Sequence, residues 1–376
     1  MIKIHDCAIV GGGLAGLTLA IQLADAGHSV ILFEKENYPF HKVCGEYISM
    51  ESYDFLQRIG LPLDKMDLPK INQLKISAPN GNSLVEKLDL GGFGISRYTL
   101  DAQLADLAKQ KGVLLLENTT VTDVQFDGSL FSIFTENYTF QAKVTCGAYG
   151  KKSVLDRKLG RKHEIKTDKS QQYIGVKYHI KLDFPADKIE LHNFKNGYCG
   201  ISKVGQDRYC LCYLTTAENL NKHGNDIKAM EKAVLMQNPF LKEIFERATF
   251  LYDKPLSISN ITFQKKSTIE QNILLLGDTA GTIAPLCGNG MSMAMHASFL
   301  VSAIIQKFLR SEISRSEMNK QYARKWDNQF SIRIALGRTI QHLFGAEKMT
   351  NVVIGVCKKL PFLTRFLIGL THGRRF

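Results

Sequence analysis

Four apolar residues, Cys7-Ala8-Ile9-Val10, run straight into Gly11-Gly12-Gly13-Leu14-Ala15-Gly16, and an apolar helical repeat follows. No other stretch narrows the fold as much. A short strand without polar alternation belongs in a sheet covered on both faces. Leu17, Leu19, Ala20, Leu23 and Ala24 then recur at helical spacing until Gly27 ends the helix. Ser29 to Phe33 forms a second strand, and Glu34 closes it. In this G-x-G-x-x-G pattern the first glycine makes the tight turn, the second lets the backbone approach a pyrophosphate, and the third packs the helix on the strands. The helix N-terminus offers unpaired N–H groups to the phosphates. Glu34 stands where an acid accepts hydrogen bonds from ribose hydroxyls and disfavours a 2′-phosphate. The reading is a dinucleotide-binding βαβ unit.

A second glycine segment lies far downstream. The apolar Ile273-Leu274-Leu275-Leu276 leads into Gly277-Asp278-Thr279-Ala280-Gly281, then Pro285-Leu286-Cys287-Gly288-Asn289-Gly290. Asp278 can accept from a ribityl hydroxyl, Pro285 stiffens the loop, and the helix from Met291 points its positive end at the loop. A second binding turn of this kind suits FAD better than NAD.

Between the two segments the period changes. Leu74 to Ser77 and Ser83 to Leu88 read as strands around the hairpin signal Asn80-Gly81. Helices are expected near 50–59, 100–111 and 226–247, and short strands at 113–117, 121–126, 131–135 and 138–141. Residues 171–216 alternate as an antiparallel sheet, and 315 onward is helical. The expected fold class is α/β: a Rossmann-type FAD-binding domain with a central parallel sheet, interleaved with an antiparallel-sheet substrate domain, plus a helical C-terminal tail. The expected boundaries are 1–70, 97–165 and 265–315 for the cofactor domain, 71–96 and 166–264 for the substrate domain, and 316–376 for the tail.

Composition excludes some classes. The net charge is +12, which attracts anionic cofactors and acidic surfaces. The basic residues are scattered and form no nucleic-acid motif, so no nucleic-acid partner is expected. Eight cysteines include no C-x-x-C and no paired Cys/His spacing, so no metal site is expected. Cys210 and Cys212 read as small buried residues on one face of a strand. No signal-peptide pattern opens the chain, no uncharged apolar run is long enough to span a bilayer, and free thiols suit a reducing cytoplasm. The tail mixes apolar residues with Lys358, Lys359, Arg365, Arg374 and Arg375. It reads as a helical lid or as a peripheral membrane-surface element.

The two segments, in this order and spacing, resemble the flavoprotein monooxygenases of the para-hydroxybenzoate hydroxylase fold and the related geranylgeranyl reductases, over roughly residues 5–310. Pro39-Phe40-His41-Lys42-Val43-Cys44-Gly45-Glu46 looks like the P-x-x-K-x-C-G-[EG] segment of part of that superfamily. Arg97-Tyr98-Thr99-Leu100-Asp101 resembles its Arg-x-x-x-Asp stretch, which implies an arginine near the flavin and an aspartate capping the helix. Cys146-Gly147-Ala148-Tyr149-Gly150 takes the place of its A-D-G motif, with Tyr149 instead of aspartate. The resemblance implies an FAD-dependent oxidoreductase, with NADH or NADPH as a transient electron donor that docks without a domain of its own.

Candidate cofactor contacts at the adenosine end are Gly11, Gly13, Leu14, Ala15, Gly16, Glu34 and Lys35. Lys42, Cys44, Gly45, Arg97 and Val121 come between. Gly277, Asp278, Pro285, Gly288, Asn289, Gly290 and Met291 form the flavin end. Cys44 is the candidate catalytic residue and is expected to face Cys287 across the ring; His296 reads as a packed core histidine. Gly197 to Val204 carries no tryptophan where geranylgeranyl reductases have an aromatic-rich strand, and it looks more like hydroxylases of polyketide pathways. The expected reaction is monooxygenation of a small apolar, aromatic or polyketide-like substrate with O2. Reduction of C=C bonds in a prenyl or lipid substrate is the alternative, and a flavin-binding sensor or carrier is the non-enzymatic one.

Overall fold

Two sheets divide the chain's strands in the computed structural model. It describes residues 3–151, 153–161, 172–261, 263, 266–282, 288–345, 347–360, 362, 364, 368–369 and 373–376. In the first sheet the order is Ile269–Glu270, Ile273–Leu275, Thr139–Gly147, Ile4–Val10, Val30–Phe33 and Leu114–Leu116. Apart from the Ile269–Glu270 edge the pairings along this path are parallel. Cys7, Ala8 and Ile9 are fully buried, as the absence of polar alternation predicts. Val121–Phe126 pairs antiparallel with Phe131–Thr135, which pairs antiparallel with Thr139–Gly147. That last strand is longer than the sequence suggests, because Lys143 interrupts its apolar run.

The second sheet runs Thr249–Phe250, Tyr173–Lys181, Tyr209–Thr216, Gly197–Lys203, Lys188–Phe194, Lys70–Ser77, Ser83–Gly94 and Tyr47–Ser49, with Leu256–Ile261 also on Tyr173–Lys181. All its pairs are antiparallel except Lys188–Phe194 with Lys70–Ser77. Tyr47–Ser49 is a strand of this sheet although it follows the cofactor turn closely in sequence. Gly91 to Gly94 ends the long Ser83–Gly94 strand.

Leu14–Asp25, Gly290–Leu309 and Arg315–Gly345 share the core of the first sheet, whereas Ile227–Ala233, Pro239–Arg247 and Glu347–Lys359 pack on the second. Leu14–Asp25 packs on Gly290–Leu309, and Thr18 Oγ1 meets Ser298 Oγ at 2.7 Å. Gly290–Leu309 has the length and apolar composition of a membrane span, yet it is mostly buried between Leu14–Asp25 and Arg315–Gly345. The Tyr322 hydroxyl ties the latter helix to the Leu275 carbonyl at 2.6 Å. The single helix expected over 226–247 is three pieces, Ile227–Ala233, Leu235–Gln237 and Pro239–Arg247. Pro239 lacks the N–H that would continue the helix and instead starts a new one, capped by Asn238. Near residue 50 the expected helix begins as a 3-10 turn, Met50–Ser52, before Tyr53–Arg58.

Candidate functional site

The glycine turn is forced by its neighbours. Gly11 has φ +107°, and a Cβ at Gly16 would lie 2.0 Å from the Gly11 carbonyl oxygen. Only glycine permits that approach between strand and helix. Glu34 is buried, and its Oε2 accepts the Gly12 N–H at 2.9 Å while Oε1 accepts from Glu36 N at 3.1 Å. Each oxygen keeps a lone pair for a further donor. Thr119 N donates to the Glu34 carbonyl at 2.8 Å, which brings the start of Val121–Phe126 beside the adenosine end. The Val121 side chain is buried in the core, so only its backbone faces that end. Lys35 is exposed and pairs loosely with Glu36 at 3.7 Å. Sequence reading missed Tyr38, whose hydroxyl donates to the Gly12 carbonyl at 2.5 Å and braces the turn.

Two cations close over this turn. The Cβ position of Gly13 is 3.9 Å from Lys42 Nζ and 4.0 Å from Arg97 Nη2. Any side chain at residue 13 would fill the space between the helix N-terminus and the cations, and that space suits a pyrophosphate. Asp101 holds both cations. Arg97 Nε and Nη2 each reach it at 2.7 Å, and Lys42 Nζ at 3.1 Å. Burial acts to raise the Asp101 carboxyl, and Arg97 and Lys42 outweigh it, holding it below the usual range. Asp101 therefore does not cap the helix. Ser96 does, accepting from Thr99 N at 3.1 Å.

Beside this cradle lies a second, fully buried cluster. Glu46 Oε1 accepts from Lys177 Nζ at 2.5 Å and from Arg97 N at 2.7 Å, and Oε2 lies 2.6 Å from His179 Nε2. Burial raises the Glu46 carboxyl, but His179 and Lys177 outweigh it and hold it low. Burial opposes the charge on Lys177, and Cys210 and Glu46 beside it push its ammonium up. Glu46, His179 and Cys210 place three ligand-type atoms within 4.8 Å of one another. The cation on this carboxylate is already present as Lys177, and burial pushes the Cys210 thiol up, so the group is an ion-pair network. The two clusters together hold Lys42, Arg97 and Lys177 against Asp101 and Glu46, one positive charge in excess. That excess favours an anionic cofactor.

Cys44 sits between the clusters. Arg97 hydrogen-bonds its thiol, Glu46 N donates to its Sγ at 3.5 Å, and its carbonyl accepts from Cys210 Sγ at 3.2 Å. The Gly45 carbonyl accepts from Ser202 Oγ at 3.4 Å. Cys212 is pushed up to about 12, first by burial and then by Cys44, so it stays a thiol. Lys177 and His179 escaped the sequence reading. Their signal is two buried polar residues two apart on one face of Tyr173–Lys181, a strand apolar elsewhere except at its exposed end, Lys181.

At the flavin end Gly277 packs against Ala15 and Ala294, so the two glycine segments touch through the first helix. Gly277, Asp278, Gly281, Gly290 and Met293 line a cavity of ≈ 10 Å³ closed by Trp326 and Phe330. Asn289 is the N-terminal flanking residue of Gly290–Leu309, Gly288 precedes it, and Met291 is buried. Pro285 and Cys287 lie outside the described residues, and with them the expected Cys44–Cys287 pair. Tyr149 has become a post: its hydroxyl reaches Asp156 Oδ1 at 3.1 Å. Buried Arg161 then joins Asp156 at 2.7 Å to the Thr279 carbonyl at 2.9 Å. Thr279 Oγ1 accepts from Gly150 N at 2.8 Å, locking the Tyr149 loop to the Asp278 loop.

His296 packs in the core, its ring stacked on Phe376 at 4.1 Å and edge-on to Phe330 at 5.5 Å. Burial and Arg333 push it down to about 4. Between that value and the ordinary 6.5 the unfolded chain binds the extra proton, so stability is complete above pH 6.5 and falls as pH drops toward 4. Unfolding in urea at pH 7 and pH 4.5 is expected to differ by about 2–3 kcal/mol from this residue. A His296→Leu variant losing as much on acidification as the unmodified chain would assign the loss elsewhere.

Comparison with known proteins decides the family. The FAD binding domain family matches residues 5–326. This chain belongs to that family. It is an FAD-dependent oxidoreductase. Among curated relatives of this FAD-binding protein, Conditioned medium factor receptor 1 of Dictyostelium discoideum is 28% identical, over 90% of this chain and 70% of its own. Digeranylgeranylglycerophospholipid reductase 2 of Methanopyrus kandleri is 23% identical, over 92% of this chain and 86% of its own. Among solved structures, the flavin-dependent brominase Bmp2 superposes with a TM-score of 0.81 at 20% identity, covering 98% of this chain and 93% of its own. That likeness establishes the shared fold.

Proposed function

We propose that this FAD-dependent oxidoreductase hydrogenates C=C bonds of a prenyl-chain lipid. The observation that carries the reading is the Pro39–Glu46 segment. It brings one thiol, Cys44, between the cofactor cradle of Lys42 and Arg97 and the buried Glu46–Lys177–His179 network. Bound FAD, once reduced, would supply hydride. The chain's residues bind and orient the cofactor through Gly13, Lys42 and Arg97, and the Cys44 thiol holds the proton that completes addition of two hydrogens. The Methanopyrus kandleri relative, named as a reductase of a geranylgeranyl lipid and aligned over nearly the whole chain, supports this substrate class. NADH or NADPH is the proposed electron donor.

Hydroxylation with O2 is the second reading, favoured by the absence of tryptophan from Gly197 to Val204. One experiment separates the two. Holoprotein reduced with dithionite or NAD(P)H under argon is mixed with a geranylgeranyl ether phospholipid. The expected product has gained two hydrogens per double bond without dioxygen. Unchanged lipid under argon, with incorporation of label from heavy dioxygen in air, would overturn the proposal in favour of hydroxylation. Cys44→Ser is expected to slow the hydrogenation about 10²–10⁴-fold while FAD stays bound; an undiminished rate removes the thiol from the chemistry.

A further inference from the structure

We infer that the C-terminal helix Glu347–Lys359 docks this protein on an anionic lipid surface. One face of the helix is fixed. Thr350, Ile354 and Cys357 are buried, the last two against Ala78 and Leu84 at the turn of the Lys70–Ser77 and Ser83–Gly94 hairpin. On the other face the described apolar residues are exposed. Met349 is 47% exposed, Val352 60%, Val356 41% and Leu360 40%, and Phe362 just beyond is 69% exposed. Met349, Val352, Val356 and Leu360 are three and four residues apart and make one apolar stripe along the ridge. Scattered apolar residues on a surface need no partner, whereas a contiguous stripe on a rigid helix does.

Charge selects the partner. From Lys348 to Phe376 the sequence holds six Lys and Arg residues and no Asp or Glu, half of the chain's net charge of +12. Lys359 stands seven residues after Val352, in the same row beside the stripe, and is exposed. Lys358 is fixed at the hairpin rim by a 2.7 Å hydrogen bond to Asn82 Oδ1. A second copy seated across a two-fold axis would set this basic border against itself. A nucleic acid would leave the apolar stripe in water. An anionic bilayer takes both, the stripe among the acyl chains and the lysines among the headgroups. Because the helix is clamped to the second sheet, docking holds that sheet against the membrane. The inference stands on the tail alone and does not depend on which reaction the flavin performs.

Full-length holoprotein is sedimented with vesicles of phosphatidylcholine containing phosphatidylglycerol, and with phosphatidylcholine alone. Binding is expected only to the anionic vesicles and weakens with salt. Lys359→Gln is expected to reduce affinity about fivefold. The double variant Val352→Asp, Val356→Asp is expected to abolish binding while its circular dichroism and FAD absorbance stay unchanged, since both residues are exposed. No sedimentation of the unmodified chain with anionic vesicles would overturn the inference, and so would undiminished binding by the double variant. A chain that is dimeric in solution, made monomeric by the double variant and indifferent to vesicles, would assign the stripe to a second copy instead.

Discussion

Glu46→Ala is expected to lower the unfolding free energy by about 3–5 kcal/mol, because it strands the Lys177 ammonium in a fully buried site. The carboxylate serves three partners, Arg97 N, Lys177 and His179, and the Glu46 backbone N–H adds a fourth contact to Cys44 Sγ. Glu46→Gln keeps the shape and removes only the charge, so it is expected to cost nearly as much. Replacing Lys177 by Met as well should return a large part of the loss, since no uncompensated ion is then left. Urea titrations of the three variants measure this. A loss below about 1 kcal/mol for Glu46→Ala would mean that water reaches the cluster. Glu46 also has φ +56°, a conformation that costs a non-glycine residue energy. The network holds it there, and loss of the carboxylate leaves that strain uncompensated.

Gly16→Val is expected to weaken FAD binding by up to about a hundredfold. Its Cβ would meet the Gly11 carbonyl oxygen at 2.0 Å, so either the helix moves out or the turn opens. Overpacking of this kind costs about 1–3 kcal/mol, and each 1.4 kcal/mol is about tenfold in affinity. Flavin absorbance after gel filtration reads the loss, and circular dichroism separates it from unfolding. Full retention of FAD would show that the turn yields without moving the phosphate cradle.

The difference between those two sites explains what was legible. The Gly11–Gly16 turn, its strands and Glu34 are neighbours in sequence, so residue type and spacing alone specify them. Arg97 is reached only through a resemblance and Lys177 not at all, because 51 and 131 residues separate them from Glu46 in the contacts that define the site. Alternation in Ile174 to Ile180 reveals a strand but not which element covers each face. For Val121 and Lys35, both near the adenosine end, spacing does not tell where the side chains go: one is in the core and the other in solvent. The helix at 226–247 failed on a single residue, Pro239, whose missing N–H outweighs the surrounding periodicity.

The two sheets also differ in when they are completed on the ribosome. Every strand of the second sheet lies between residues 47 and 261. The first sheet begins at Ile4–Val10, yet Thr139–Gly147 obtains its outer parallel neighbour only when Ile273–Leu275 has been made. At roughly 5–20 residues per second that neighbour is synthesised several seconds or more after Gly147. Until then the Thr139–Gly147 edge lacks this partner, and the Asp278 loop does not yet exist to meet the Gly11 turn. Cofactor capture is therefore a late event in the biogenesis of this chain, and free FAD can secure the final strand as it arrives.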